Sequence, residues 1–432
     1  MFRPNPAIQY ASPSEIRAFQ EERLRDAVAY AAARSPFYRQ MFARERIDPT
    51  TIRTLDDLRR LPLTSKSDLQ SRNDDFICVG REAIADYVTT SGTLGEPVTV
   101  ALTAGDLERL AYNERLSFGV AGCGPADVMQ LMVTMDRRFM AGYAYYLGAR
   151  ATGMGVCRVG NGIPQLQWDT IGRVRPTVGM CVPSFLMKLI DHAERHGIDH
   201  HASSIRKFIC IGEALRTPAG DYTKLGAQIA ARWPEVSLHT TYASTEMQSS
   251  FTECEHFCGG HSQPELIIVE LLDDAGRPVR EGEAGEVTVT TLGIEGTPLI
   301  RFRTGDIVTH QTGRCACGRQ TMRLGAVVGR KGQMIKYKGT TLYPPAIFDI
   351  LDGIAGVENY AVEVYTNSLG TDEVRVRVGS RDTSEAFAKT IKDVFRARVR
   401  VAPGVSFESP DLIAKITMPP TSRKAVKFFD LR

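Results

Sequence analysis

No stretch of this 432-residue sequence approaches the ~20 consecutive apolar residues of a membrane-spanning helix, so no membrane association is expected. The opening, Met1-Phe2-Arg3-Pro4-Asn5-Pro6, has no apolar run behind it either, and a cytoplasmic chain is expected. Charge of one sign is scarce: 53 Lys and Arg against 50 Asp and Glu leave a net +3. That is too little for the broad basic footprint of a nucleic-acid binder, although it leaves room for a local anion site. Internal repeats and low-complexity segments are missing. The nine cysteines are an odd number, most of them placed singly in apolar runs as Cys181 and Cys210 are, which fits buried thiols rather than a disulfide framework.

What is present is ordinary globular material, 43% hydrophobic and 24% charged. The length exceeds a single core, which stops growing at roughly 250–300 residues, so one large domain and one smaller are expected. Ser12-Pro13-Ser14-Glu15 is a capping box with proline in the first turn, followed by Phe19, Leu24, Ala27, Val28 and Ala31 at helical spacing. That predicts a helix ending near Ser35-Pro36. From there to about residue 320, strand-like runs at 128–133, 178–182 and 208–211 alternate with helical patterns such as 185–196, an α/β signature. Two alternating segments, 266–272 and 286–291, predict an antiparallel β section. The polar stretch 329–333 marks a boundary, and beyond it a βαβ-like pattern has its best strands at 362–365 and 374–378. The predicted fold class is α/β: a large multi-layer domain over 1–329 with an added β section, and a small α+β domain over 330–432, joined by a hinge.

Chemistry concentrates in a few segments. Thr89-Thr90-Ser91-Gly92-Thr93-Leu94-Gly95-Glu96-Pro97 is a run of small hydroxyl residues and glycines that can turn N–H groups towards phosphate oxygens, though alone it would equally suit an exposed turn. Then come, in order, Ile211-Gly212-Glu213-Ala214-Leu215, Thr241-Tyr242-Ala243-Ser244-Thr245-Glu246 and Arg301-Phe302-Arg303-Thr304-Gly305-Asp306. Together these resemble the ordered motifs of the adenylate-forming superfamily of acyl-CoA synthetases, adenylation domains and luciferases. Ser35-Pro36-Phe37-Tyr38, the segments 61–69, 297–301 and 329–339, Tyr343-Pro344 and the last residues from Lys424 make the chain similar to the phenylacetate-CoA ligase family in particular.

The resemblance implies ATP-dependent adenylation of a small-molecule carboxylic acid, aryl or arylacetic, followed by transfer to coenzyme A. It implies that Thr90, Ser91, Gly92, Thr93 and Gly95 form the phosphate loop and that Glu246 is a Mg²⁺ ligand. Gly212, Glu213, Ala214, Thr241, Tyr242 and Thr245 would border the nucleotide, Asp306 would accept from the ribose hydroxyls, and Arg330 would precede the hinge. Lys424, otherwise a solvated lysine near a terminus, matches the adenylation lysine of the mobile small domain. Phe139, Ala141, Gly142 and Ala243 would contribute to the acid pocket, together with Tyr143 and Phe185, although aromatic clusters are more often plain core. Pairing as a homodimer is expected on the family's habit alone. The chain departs from the pattern at Glu96, where the loop normally has lysine, at Arg423 and Ala243, where glycines are usual, and at Gly332. Two other readings stay open: an adenylating enzyme with a non-CoA acceptor, and a nucleotide-binding protein that has lost catalysis.

Cys254-Glu255-His256-Phe257-Cys258-Gly259-Gly260-His261 and Cys315-Ala316-Cys317-Gly318 put four thiols and two imidazoles in two short loops, enough to enclose one tetrahedral structural Zn²⁺. Comparison with the family suggests Cys254, His261, Cys315 and Cys317 as ligands, with Cys258 and His256 as competitors. His239 and the pair His200-His201 have no nucleophile in a recognisable arrangement and read as structural.

Overall fold

The computed structural model describes residues 2–90, 97–338, 340–367, 371–418 and 425–432. The chain forms two compact units: 1–220, 229–304 and 308–326 make the first, and 221–228, 305–307 and 327–432 the second. Among the described residues no helix is long and apolar enough to cross a membrane.

The first unit opens with α1 (Pro13–Arg34), nucleated as the capping box requires: the Ser12 side chain accepts from the Glu15 N–H while the Glu15 carboxylate accepts from the Ser12 N–H at 2.8 Å. Next are α2 (Pro36–Arg44) and α3 (Lys66–Ser71), each started by a serine, Ser35 or Ser65, that accepts from an amide three residues on. The strands β1 (Ile84–Thr89) and β2 (Thr99–Thr103) pair antiparallel, so the Ser/Thr/Gly loop is the connection of a hairpin. Then come α4 (Ala104–Val120), β3 (Val128–Leu131), α5 (Met140–Thr152), β4 (Gly155–Arg158), α6 (Pro164–Val174), β5 (Val178–Cys181), α7 (Pro183–Arg195) and β6 (Lys207–Ile211). They are followed in the chain by α8 (Lys224–Arg232), β7 (Ser237–Ser244), β8 (Ser249–Glu253), β9 (Gly260–His261), β10 (Ile267–Leu272), β11 (Gly285–Thr291), β12 (Phe302–Val308), β13 (His310–Gln311) and β14 (Arg323–Leu324), with α8 and β12 each divided between the two units.

Nine of these strands form one sheet in the order β13-β14-β9-β8-β7-β6-β5-β3-β4. From β7 to β4 the pairs are parallel, and from β7 to β13 antiparallel. All four residues of β5 are buried, as expected of a parallel strand covered on both faces. The antiparallel section predicted from alternation is the β10–β11 pair, in register from Ile267 opposite Thr291 to Leu272 opposite Glu286.

The second unit contains β15 (Gly329–Arg330), β16 (Ile335–Tyr337), β17 (Thr340–Leu342), α9 (Pro344–Asp352), β18 (Asn359–Thr366), β19 (Asp372–Gly379), α10 (Glu385–Val399), β20 (Gly404–Glu408), α11 (Pro410–Thr417) and β21 (Phe428–Asp430). Its main sheet has the order β20-β19-β18-β21. Here the βαβ expectation needs correcting: β18 and β19 are the antiparallel arms of a hairpin, not the two strands of a crossover. Residues 367–371 are far too few for a parallel return, which needs a dozen or more. The parallel pairs are β19 with β20, connected through α10, and β18 with β21. Val362, Val364, Val374, Val376 and Val378 bury one face of this sheet with Ile391 and Phe395 of α10.

Within the first unit α4 and α5 lie so close that a Cβ on Gly148 would sit 2.1 Å from the Glu114 Cβ. Gly148→Ala should therefore lower unfolding free energy by about 1–3 kcal/mol through forced separation of the helices. Gly119→Ala, on the same helix pair but with open space around the added methyl, should be neutral or stabilising by up to about 1 kcal/mol. Denaturant titrations of the two variants check the contrast.

Candidate functional site

The carboxyl end of β7 carries Thr241, Tyr242 and Ala243 into a tight turn holding Thr245 and Glu246, after which β8 returns antiparallel. The turn is closed by the Met247 amide donating to Ser244 Oγ and the Gln248 amide to Ser244 O, both at 3.3 Å. Gln248 pays for the tightness with φ 48°, a left-handed conformation in a buried non-glycine residue. What holds it there is Arg109 of α4, fully buried. Its Nη1 donates to Gln248 O at 2.7 Å, Nη2 to Ser249 Oγ at 3.2 Å and Leu266 O at 2.6 Å, and Nε to Leu292 O at 2.8 Å. Burial pushes this guanidinium down to about 10, against the pull of Asp106 and Glu265, so it stays charged at neutral pH.

Around this turn the strand partners are fixed. Tyr242 lies opposite Phe251, their ring centroids 5.7 Å apart, and Ala243 lies opposite Ser250. Thr241 Oγ1 accepts from Thr252 Oγ1 at 2.7 Å. The Glu246 carboxylate is 3.5 Å from Lys66 Nζ, and both side chains are mostly buried. Lys66 is the first residue of α3, delivered by the Ser65–Asp68 capping box. Sequence reasoning gave Lys66 no role. Its signal lay in the 61–69 segment, but only the fold brings it to Glu246, 180 residues on.

Glu213 follows β6 after Gly212, whose φ is 76°. Its two oxygens accept from the Ser184 amide at 2.7 Å and the Ser184 hydroxyl at 2.8 Å, so the carboxylate caps the N-terminus of α7 and locks the 211–215 loop to the 183–185 segment; Ala214 continues this loop. Thr90 closes the base of the hairpin loop: its amide donates to Val98 O and its Oγ1 accepts from the Val98 amide, each at 3.0 Å. Ser91, Gly92, Thr93, Gly95 and Glu96 lie outside the described residues, as do Arg423 and Lys424. Phe139 is the residue before α5, and Ala141 packs against the core around Tyr145 and Ile211. Gly142 has no room for a side chain, since a Cβ would stand 1.9 Å from Thr134 O. In the second unit Asp306 lies opposite Arg330, Nε to Oδ1 3.0 Å, with Asp306 almost fully buried. Arg301, first residue of the 301–306 motif, is structural: it is buried, ion-paired with Glu270 at 2.9 Å, and donates to Leu61 O at 2.7 Å.

Cys254, His261, Cys315 and Cys317 converge, their ligating atoms all within 4.8 Å of one another. Cys254 Sγ is 3.8 Å from Cys315 Sγ, and Cys317 Sγ is 3.5 Å from His261 Nε2. His261 Nδ1 is 2.8 Å from Thr321 Oγ1, which leaves Nε2 to face the thiols. Burial, with Arg319 and Arg323 nearby, pushes His261 down to about 3 and keeps the imidazole neutral. Three thiols and a neutral imidazole at this spacing fit a closed tetrahedral zinc site. Cys258 Sγ lies 3.6 Å from Cys315 Sγ, at the edge of the cluster, while His256 is turned to Glu255 at 3.6 Å. His239 Nδ1 donates to Glu253 O, leaving Nε2 to accept from Ser237 Oγ, and burial pushes it down to about 4, in keeping with a structural histidine.

Comparison with known proteins agrees with the motif order. Residues 17–295, well over half of the chain, match the AMP-binding enzyme family. A phenylacetate-coenzyme A ligase of Thermus thermophilus is 30% identical over 402 residues, 89% of this chain and 85% of the relative. The enzyme of that name from Escherichia coli K12 is 27% identical over 98% of this chain and 97% of its own length. Among solved structures, 2-hydroxyisobutyryl-CoA ligase in its postadenylation state, in complex with an acyl-adenylate, is similar in fold: TM-score 0.84 at 21% identity, over 99% of this chain and 92% of that one.

Arg109→Met should remove a donor from four buried acceptors, of which Leu266 O keeps the Leu292 amide at 2.9 Å, and free the Gln248 backbone, lowering unfolding free energy by about 3 kcal/mol or more. Chemical denaturation measures the loss. Arg109→Lys, which cannot span the same fork of acceptors, should recover little of it.

Proposed function

Because this chain belongs to the AMP-binding enzyme family, in its phenylacetate-coenzyme A ligase branch, we propose that the acid it activates is an aryl or arylacetic acid, with phenylacetate the first to try. The reaction class is ATP-dependent: a carboxylate oxygen attacks the α-phosphorus of ATP, the bond to the bridging oxygen breaks and pyrophosphate leaves. The thiol of coenzyme A then attacks the acyl carbon and displaces AMP. The observation that carries the choice of acid is the relation, spanning nearly the whole chain, to ligases named for phenylacetate.

The first step brings two anions together, so cations and N–H donors must gather at the phosphates. We assign that task to the 90–95 loop, anchored at Thr90, and to Lys66, which offers a cation beside Glu246 in a chain whose loop carries Glu96 in place of the usual lysine. Glu246 is a hard oxygen donor suited to Mg²⁺, which when bound would neutralise phosphate charge. Gly212, Glu213, Ala214, Thr241, Tyr242 and Thr245 are assigned to the nucleotide, Asp306 and Arg330 to its ribose side, and Phe139, Ala141, Gly142 and Ala243 to the acid. Lys424 is assigned to the attacking carboxylate. Residues 330–432 are read as the small domain that turns about the Arg330–Gly332 segment between the two half-reactions. Cys254, His261, Cys315 and Cys317 are assigned to a structural zinc, a cluster suited to a cytoplasmic setting where thiols stay reduced. Sedimentation would show whether two copies pair.

Acid-dependent ATP–pyrophosphate exchange over aryl, arylacetic and fatty acids, followed by CoA-dependent AMP release, tests the reading. Phenylacetate or a close relative should give the strongest exchange. Exchange that CoA cannot convert into AMP release would redirect the acyl group to another acceptor. Lys424→Ala should lower exchange by about 100-fold or more while a supplied acyl-adenylate still reacts with CoA. Equal losses in both half-reactions would remove Lys424 from its role.

The zinc assignment predicts about one equivalent of zinc per purified chain, with Cys315→Ser losing the metal and several degrees of thermal stability. Cys258→Ser should retain the metal. Metal analysis and a thermal scan read both outcomes.

A further inference from the structure

Glu114, on the face of α4 that meets α5, is fully buried and does not belong to any motif. Its Oε1 accepts from Asn113 Nδ2 at 2.8 Å, but its Oε2 is buried with no hydrogen-bond partner among the described residues. A carboxyl in that condition is held at a price unless something else completes it. Burial pushes Glu114 up to about 8, against the opposing help of Asn113 and Ser250, so at neutral pH the group is a carboxylic acid able both to donate and to accept.

Its surroundings say what could complete it. Asn113 Nδ2 also donates to Ser250 Oγ at 3.0 Å, and Asn113 Oδ1 accepts from the Ser250 amide at 3.1 Å. Ser250 is the cross-strand partner of Ala243. On the other side Glu114 meets α5 at Gly148, and it raises the Tyr145 phenol, which burial already pushes up. Tyr145 is one turn from Ala141 and Gly142, and Leu110, one turn before Glu114, packs against Met140 and Ala144. Glu114 thus sits where α4 meets α5, the helix of Ala141 and Gly142, and beside Asn113, whose partner Ser250 lies across the strand pair from Ala243.

We propose that Glu114 is a specificity-determining residue at the far end of the acid pocket, where its Oε2 pairs with a hydroxyl on the ring of the acid. The proposal rests on the reading of Ala141, Gly142 and Ala243 as acid-pocket residues. A pocket built to pair with a hydroxyl discriminates against an acid that lacks it, because the protein group is then left buried and unpaired.

The experiment is acid-dependent ATP–pyrophosphate exchange on the full chain with phenylacetate, 3-hydroxyphenylacetate and 4-hydroxyphenylacetate, comparing kcat/KM ratios between acids within each protein. A ratio is unaffected by the fraction of a variant that folds. The wild type should favour one hydroxylated acid over phenylacetate by about tenfold or more. Glu114→Met, an unbranched replacement of similar volume, and Glu114→Leu should each lower that ratio by about tenfold and raise relative use of phenylacetate. A wild-type ratio near one, or a ratio that both variants leave unchanged, overturns the assignment of Glu114. Absence of exchange with every acid overturns the ligase reading itself, and this proposal with it.

Discussion

A fully buried guanidinium has to find acceptors within the protein, and the first unit is arranged around how Arg109 is answered. Four acceptors come from three separate stretches of chain: the Gln248–Ser249 turn, Leu266 before β10, and Leu292 after β11. Asp106, one turn earlier on α4, lends counter-charge while taking the Glu295 and Gly296 amides at 2.8 Å. None of these segments can drift without leaving a charge or a carbonyl unpaired in a medium of low dielectric, where such losses are large. The loop that presents Glu246 is thereby positioned from behind by a residue that has no reason to touch a ligand.

The same economy runs through the site. Gln248 is held left-handed because its carbonyl is needed by Arg109. The carboxylate of Glu213 is spent on the α7 N-terminus, which fixes the glycine-containing loop after β6 against Ser184. Both loops leave the carboxyl ends of neighbouring parallel strands, the place where open α/β sheets form their binding crevices. Lys207, at the opposite end of β6, instead donates to the carbonyls just past the end of α4, Gly122 O at 3.0 Å among them. Support at one edge and short, hydrogen-bonded loops at the other fix the backbone of the 211–215 and 241–248 segments within the first unit.

Legibility from sequence followed the range of the interaction. The start of α1 was readable because a capping box is written within four residues. The hairpin β10–β11 was readable because alternation has period two and its turn is local. Thr241 to Glu246 was readable as a motif, but the partners that shape it were not: Arg109 and Lys66 lie 137 and 180 residues before Glu246, and nothing local distinguishes them from surface cations. The second unit shows the converse. Its strands were located, yet their pairing was misjudged, since a strand pattern does not declare which neighbour it will take.

By itself the sequence determined the family and the reaction class, because ordered motifs are properties of the chain read along its length. Tertiary structure alone decided which cations meet which carboxylates, that Cys254, His261, Cys315 and Cys317 converge while His256 faces Glu255, and that a carboxyl on α4 is left with one oxygen unanswered. Those facts depend on distances between residues remote in sequence, and on the withdrawal of water that makes an unpaired group expensive; neither exists until the chain has folded.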